Sequence, residues 1–316
     1  TFLYIYFRNS DIEKGLRKMK DKIVTFGEIM LRLSPENNAR FTQCNAFEAV
    51  YGGGEANTAV SLANFDVDAN YVTKLPKHII GQAAINSLRQ YGVGVDHIVR
   101  GGDQIGIYFL EKKTSQRPTN VIYNRAGSAF ALATADDFNW DEIFDGATWF
   151  HFSGITPAIS DEMTNICITA CQKAKEKGMT VSCDLNYRSK LWSSEKACEA
   201  MSRICQYVDV CIANEDDAIG IFSMNPADAN GEEKNAYIAK ELMKKFPFKM
   251  VASVWRTETS ITTFKLQSMI YTARNSSCTF LITSVPETLT VLVLSIALST
   301  TLTLRRQLNL LTLQAA

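Results

Sequence analysis

The sequence predicts an α/β protein: a parallel sheet with helices on both faces and a small β lid. Three observations carry this. Short apolar runs alternate with helix-length amphipathic segments from Lys22 onward. Polar stretches with glycine, amide and carboxylate groups stand directly after the runs, where ligands of such sheets gather. Two aromatic-rich stretches, 32–50 and 106–125, break the alternation and read as β hairpins between core elements.

The elements follow in order. IVTFGEIML reads as one strand, and EANTAVSLANF as a helix entered through glycines. NYVTKL is a strand, GQAAINSLRQYG a helix and TWFHFSG a strand, near whose buried end lies His151. DEMTNICITACQKAKEKG is a helix with acidic residues at its start and a Gly stop. The strand MTVSCDLN, helix EKACEAMSRICQYV, strand VCIAN, helix NAYIAKELMKKF and strand KMVASV complete the pattern. The two hairpins carry Phe41, Phe47, Tyr108, Phe109 and Tyr123, aromatics that a sheet lying over a site explains better than bare surface does.

Composition narrows the function. The 316 residues are 46% hydrophobic and 21% charged, with 33 basic against 33 acidic side chains. That balance points away from nucleic acid and anionic membrane and toward a small-molecule substrate. Eight cysteines are scattered without metal-ligand spacing, and the four-residue step from Cys167 to Cys171 on a predicted helix is a weak pairing cue. Reduced thiols in a cytoplasmic protein are expected. The opening TFLYIYFRNSDIEKGLRK lacks the pattern of a signal peptide. Met19 stands just before the first core strand, so translation is expected to start there, with residues 1–18 an upstream extension.

Several polar groups converge at the predicted strand ends. YGGGEAN, from Tyr51 to Asn57, puts glycines before a helix, where backbone can approach a ligand and the helix N-terminus favours an anion. DLNYR, 184–188, sets a carboxylate, an amide and a guanidinium just past a strand. NEDD, 214–217, offers hard oxygen ligands suited to Mg²⁺, or else the acidic first turn of a helix. Arg125, near Tyr123, is suited to clamp a carboxylate, or else is a solvated lid residue.

The order FGE, GGGEAN, a Tyr-containing hairpin, DLNYR followed by LW, and NEDD resembles the ribokinase-like (PfkB) sugar kinases. GEIMLRLSP, GIYFLE, VIYNRAGSA and DLNYRSKLW resemble 2-keto-3-deoxygluconate kinases in particular. The match runs from about Lys22 to Tyr271. The resemblance implies a three-layer α/β/α fold with a β lid over residues 19–271. It implies a sugar acid held by Gly53, Gly54, Asn57, Tyr108, Tyr123 and Arg125. Asn186 and Arg188 would approach the ATP phosphates and the phosphoryl group in flight. Asn214 and Asp217 match an Asn-x-x-Glu motif for Mg²⁺, with the shorter Asp in the last place. A homo-oligomer joined through the lid is expected.

The family also needs a Gly-Ala-Gly-Asp segment, whose amides receive the transferred phosphoryl group and whose Asp takes the hydroxyl proton. The chain has no GxGD; SVPETLTVLVLS stands in its place from Ser284. Codons exist for that stretch which, read from their third base, spell Gly-Ala-Gly-Asp-Ser-Tyr-Gly-Ala-Gly-Leu-Ile. A frame slip near residues 271–275 is therefore expected, making 272–316 a shifted tail with Thr288 where the Asp belongs. A membrane span explains the tail less well, because Leu289–Leu304 has 16 residues, six of them Ser or Thr. The function expected of the gene is ATP-dependent phosphorylation of 2-keto-3-deoxygluconate. A kinase for fructose or ribose, or a non-catalytic sugar-acid binder, stands as the alternative.

Overall fold

A computed structural model describes residues 2–7, 22–224 and 232–255 of the chain. Its N-terminal half runs β1 (Phe2–Phe7), β2 (Lys22–Phe26), β3 (Met30–Pro35), β4 (Phe47–Gly52), α1 (Gly54–Asn64), β5 (Asp68–Val72), β6 (Lys74–Leu75), α2 (Ile79–Arg89), β7 (Val99–Arg100), β8 (Ile107–Glu111) and β9 (Asn120–Asn124). The rest runs α3 (Trp140–Ile143), β10 (Ala147–Ser153), α4 (Ile155–Ala158), α5 (Asp161–Glu176), β11 (Thr180–Asp184), α6 (Ser194–Ile204), β12 (Val210–Ala213), α7 (Glu215–Phe222), α8 (Glu232–Lys245) and β13 (Met250–Trp255).

The main sheet has the order β1-β13-β12-β11-β10-β2-β5. Its strands are parallel except β1, which runs antiparallel to β13 with Phe7 opposite Met250. The predicted parallel α/β architecture is thus present. Phe2–Phe7, from the stretch expected to be an extension, forms the outer edge strand.

Alternation along β10 builds a core on each face of the sheet. Phe150 and Phe152 point into one core, shared with Met163, Cys167 and Cys171 of α5 and with residues of α6, α7 and α8. Trp149 enters the other, shared with Ala59 and Leu62 of α1 and Leu88 of α2. On this second side Trp149 Nε1 donates to Ser182 Oγ at 2.8 Å, and His151 Nδ1 lies 2.8 Å from the same oxygen. Burial holds the His151 ring neutral, with its pKa lowered to about 3. The helices stop and start by local chemistry. Ser160 Oγ accepts from Met163 N at 3.1 Å to open α5, acidic residues fill its first turn, and Gly178 at φ +72° follows its end. Cys44, Cys167, Cys171, Cys183, Cys198, Cys205 and Cys211 are all free.

One predicted strand, IVTFGEIML, is two. Gly27–Ile29 breaks it, leaving β2 in the main sheet and sending β3 into a second sheet of order β4-β3-β8-β9. The two expected hairpins are there, β3 with β4 and β8 with β9, joined through a parallel β3–β8 pairing. NYVTKL also divides: β5 joins the main sheet, and β6 pairs with β7 instead.

Candidate active site

The carboxyl ends of β2, β10, β11 and β12 bring four buried or half-buried carboxylates together with two arginines. Glu55, on the first turn of α1, is 3% exposed. Its Oε1 accepts from Ser153 N at 2.9 Å and from Thr156 Oγ1 at 3.2 Å. Gly27 lies so close that a Cβ there would collide with the Glu55 carboxylate. Asp184 ends β11. Loss of water pushes its carboxyl up to about 8, and the neighbouring Asp217 and Glu55 charges push the same way. The Arg188 guanidinium and the Asn186 backbone N–H oppose them. Asn186 itself is held at φ +39°, a left-handed conformation that asparagine tolerates.

Asp217 does not behave as a free metal ligand. Its Oδ1 accepts from Tyr187 N at 2.7 Å and its Oδ2 from Asn214 N at 2.9 Å. Asn214 Oδ1 accepts from Asp217 N at 2.8 Å, closing a reciprocal capping box at the start of α7. Every side-chain oxygen of the pair therefore serves the backbone. Of the two readings the sequence offers for these residues, the described geometry displays the capped helix start. No group of three or more acidic, His or Cys side chains suited to a metal occurs among the described residues.

Arg125 is not a solvated lid residue, and its buried Nε has no hydrogen-bond partner among the described residues. Its side chain is 10% exposed and its Nη2 is ion-paired with Glu28 Oε2. Ser128 Oγ donates to Glu28 Oε1 at 2.5 Å. Burial raises the Glu28 carboxyl, while Arg125 and the Ser128 hydroxyl pull it back. Tyr108 and Tyr123 pair across β8 and β9 with ring centroids 5.8 Å apart. Gly53 gives way to the Glu28 carbonyl, which any Cβ would strike, whereas Gly54 faces open space. Asn57 lines a cavity of about 440 Å³ with Tyr51, Val60, Ser61 and Leu88. That cavity includes none of Tyr108, Tyr123, Arg125, Asn186 or Arg188, which lie instead at the lid and the strand ends. Arg188 is exposed and makes no ion pair among the described residues. Glu28 and Glu55 are not among the residues the sequence points to, although each leaves a signal: an acid inside an apolar run, FGEIML, and an acid in a glycine-rich helix entry.

The sequence pattern of the pfkB family carbohydrate kinases matches residues 20–252. The chain belongs to this family. It is therefore a member of a group of phosphotransferases, and its α/β fold with a lid is that of its pfkB relatives. A crystal structure of 2-dehydro-3-deoxygluconokinase from Thermotoga maritima superposes with a TM-score of 0.71 at 51% identity, over 73% of this chain and 71% of that one. The 2-dehydro-3-deoxygalactonokinase of Haloferax volcanii is 37% identical over 74% of this chain and 71% of its own length. A Pyrococcus horikoshii sugar kinase solved with ATP shares the fold at a TM-score of 0.58 and 22% identity, over 64% of this chain and 66% of that one. No helix among the described residues is long and apolar enough to cross a membrane.

Proposed function

We propose that the gene encodes a kinase for 2-keto-3-deoxygluconate or a close sugar acid, and that the chain as written binds this acid without phosphorylating it. The supporting observation is the pair of guanidinium groups near the strand ends: Arg125 just past β9, and Arg188 beyond β11, exposed and without an ion pair among the described residues. An acid needs a cation where a neutral sugar does not, and transferred phosphate needs another. Gly54, with open space before it, and Asn57 would add contacts to the sugar. Asn186 and Arg188 would meet the ATP phosphates. The names of the Thermotoga and Haloferax relatives, both kinases of 2-dehydro-3-deoxy sugar acids, support the substrate class.

In the reaction the terminal hydroxyl oxygen of the acid attacks the γ-phosphorus. The bond to the ADP oxygen breaks, giving 2-keto-3-deoxy-6-phosphogluconate, and the hydroxyl proton passes to a base. On the frame-slip reading Thr288 stands where that base belongs, in a tail that lies outside the described residues, as does the expected start at Met19. Asn214 and Asp217 tie the loop after β11 to the start of α7, and would hold Mg²⁺ near the phosphates through the remaining lone pairs of their oxygens. The free thiols support a reducing, cytoplasmic setting.

Calorimetric titration of the chain with 2-keto-3-deoxygluconate, 2-keto-3-deoxygalactonate, fructose and ribose tests the reading. The acids are expected to bind and the neutral sugars not, with no ADP formed. Arg125→Ala is expected to weaken the acid by about 1.5–3 kcal/mol, the range for a hydrogen bond to a charged group. A gene corrected by one nucleotide near codon 273 is expected to turn over. Turnover by the uncorrected chain, or a soluble corrected enzyme inert toward both acids, overturns it.

A further inference from the structure

The lid joins the core at four chain crossings. They are the turn from β2 into β3, the passage from β4 into α1, the entry to β8 and the exit from β9. All four meet at Glu28. It stands within the first crossing, between Gly27 and Ile29. At the second, Gly53 can pass only because it lacks a Cβ that would strike the Glu28 carbonyl oxygen. At the third, a Cβ on Gly106 would press into Glu28 Oε1, and Gly106 O accepts from Leu31 N at 2.9 Å. At the fourth, Arg125 is ion-paired with the carboxylate and Ser128 Oγ donates to it at 2.5 Å. The Glu28 side chain is 2% exposed, so water does not substitute for these partners.

We propose that Glu28 is the pivot of the lid, a positioning residue that fixes the angle at which β3, β4, β8 and β9 stand over the strand ends and so places Tyr108 and Tyr123. A buried carboxylate suits the task because one group accepts from Ser128 and pairs ionically with Arg125 on the same crossing, while its backbone oxygen packs against another. The two glycines are the negative of its shape. Removing the charge frees the β9 exit and loosens the contact at the β8 entry, while both sheets keep their own ladders.

Hydrogen exchange on the full chain separates this from a general loss of stability. In Glu28→Gln, the amides of residues 29–31, 105–107 and 125–129 are expected to exchange roughly tenfold faster, with β10 and β11 unchanged. Ser128→Ala, which keeps the ion pair, is expected to give the same pattern more weakly and stands in if the first variant does not fold. A uniform rise across the chain, or no rise, overturns the pivot. The second arm rests on the sugar-acid reading: affinity for 2-keto-3-deoxygluconate is expected to fall roughly tenfold in Glu28→Gln, about the size of one charged hydrogen bond. Unchanged affinity, where the parent chain binds, overturns the positioning role. A parent chain that binds no acid overturns the sugar-acid reading, and the exchange pattern then judges the pivot alone.

Discussion

Asp184 lies where the Asp217 and Glu55 charges repel its own, while Arg188 and the Asn186 backbone N–H favour its ionised form. Its folded pKa, about 8, stands above the ordinary 3.8. Between those values the folded chain holds a proton that the unfolded chain has lost. Its contribution to stability is therefore complete at low pH and is lost as pH rises through that window. Asp184→Asn mimics the protonated form and keeps an acceptor for Asn186 N–H. Its urea midpoint is expected to exceed that of the parent clearly at about pH 8.5 and hardly at about pH 4. An equal shift at both values would assign the effect to packing. His151 acts in the opposite sense at lower pH: neutral in the fold down to about 3, it lets stability fall as the unfolded ring takes up a proton below the ordinary 6.5. Sequence showed the residue types at this site but not their burial. A carboxylate in FGEIML or GGGEAN reads alike whether it meets water or a guanidinium, because its environment is made by residues about 100 positions away, such as Ser128 and Ser153.

Helix α7 begins with the same four residues that the sequence offered as a metal site. Asn214 and Asp217 at N-cap and N3 are also the spacing of a capping box, and the structure uses them so. Asp217 does more than cap, since its other oxygen accepts from Tyr187 N and so ties α7 to the loop after β11. Asp217→Ala should therefore cost about 2–4 kcal/mol in urea unfolding, a cap plus one unmet N–H. A loss no larger than a cap alone, about 1 kcal/mol, would show that the Tyr187 tie contributes nothing. The alternating pattern was legible for strands and helices because burial imposes its period on side chains. Where one apolar run serves two sheets, as at Gly27–Ile29 and at Thr73, the period continues and only the partner changes. Partners are set by tertiary pairing, and periodicity carries no mark of them.

The lid divides its faces by the same alternation. Leu33, Phe47, Phe109 and Ile122 share one face, Phe109 packing edge-on against Phe47, while Arg32, Tyr108 and Tyr123 share the other. Phe47 and Ile122 are 41% and 51% exposed, large side chains for open surface. We infer that this apolar face joins two copies of the chain. Ile122→Lys is expected to shift the molecular mass by light scattering from dimer to monomer while acid binding is kept. A parent that is monomeric at high concentration would sink the idea. The main sheet has its own long-range closure, between Phe7 and Met250. Seen in time rather than space, that pairing sets a wait. About 240 residues separate the partners. At roughly 5–20 residues per second, a chain translated through residues 1–18 exposes FLYIYF some 12–50 s before β13 exists to receive it. Through that interval an aromatic strand with unpaired backbone is available to any neighbouring nascent chain, and its fate is a race between synthesis and encounter.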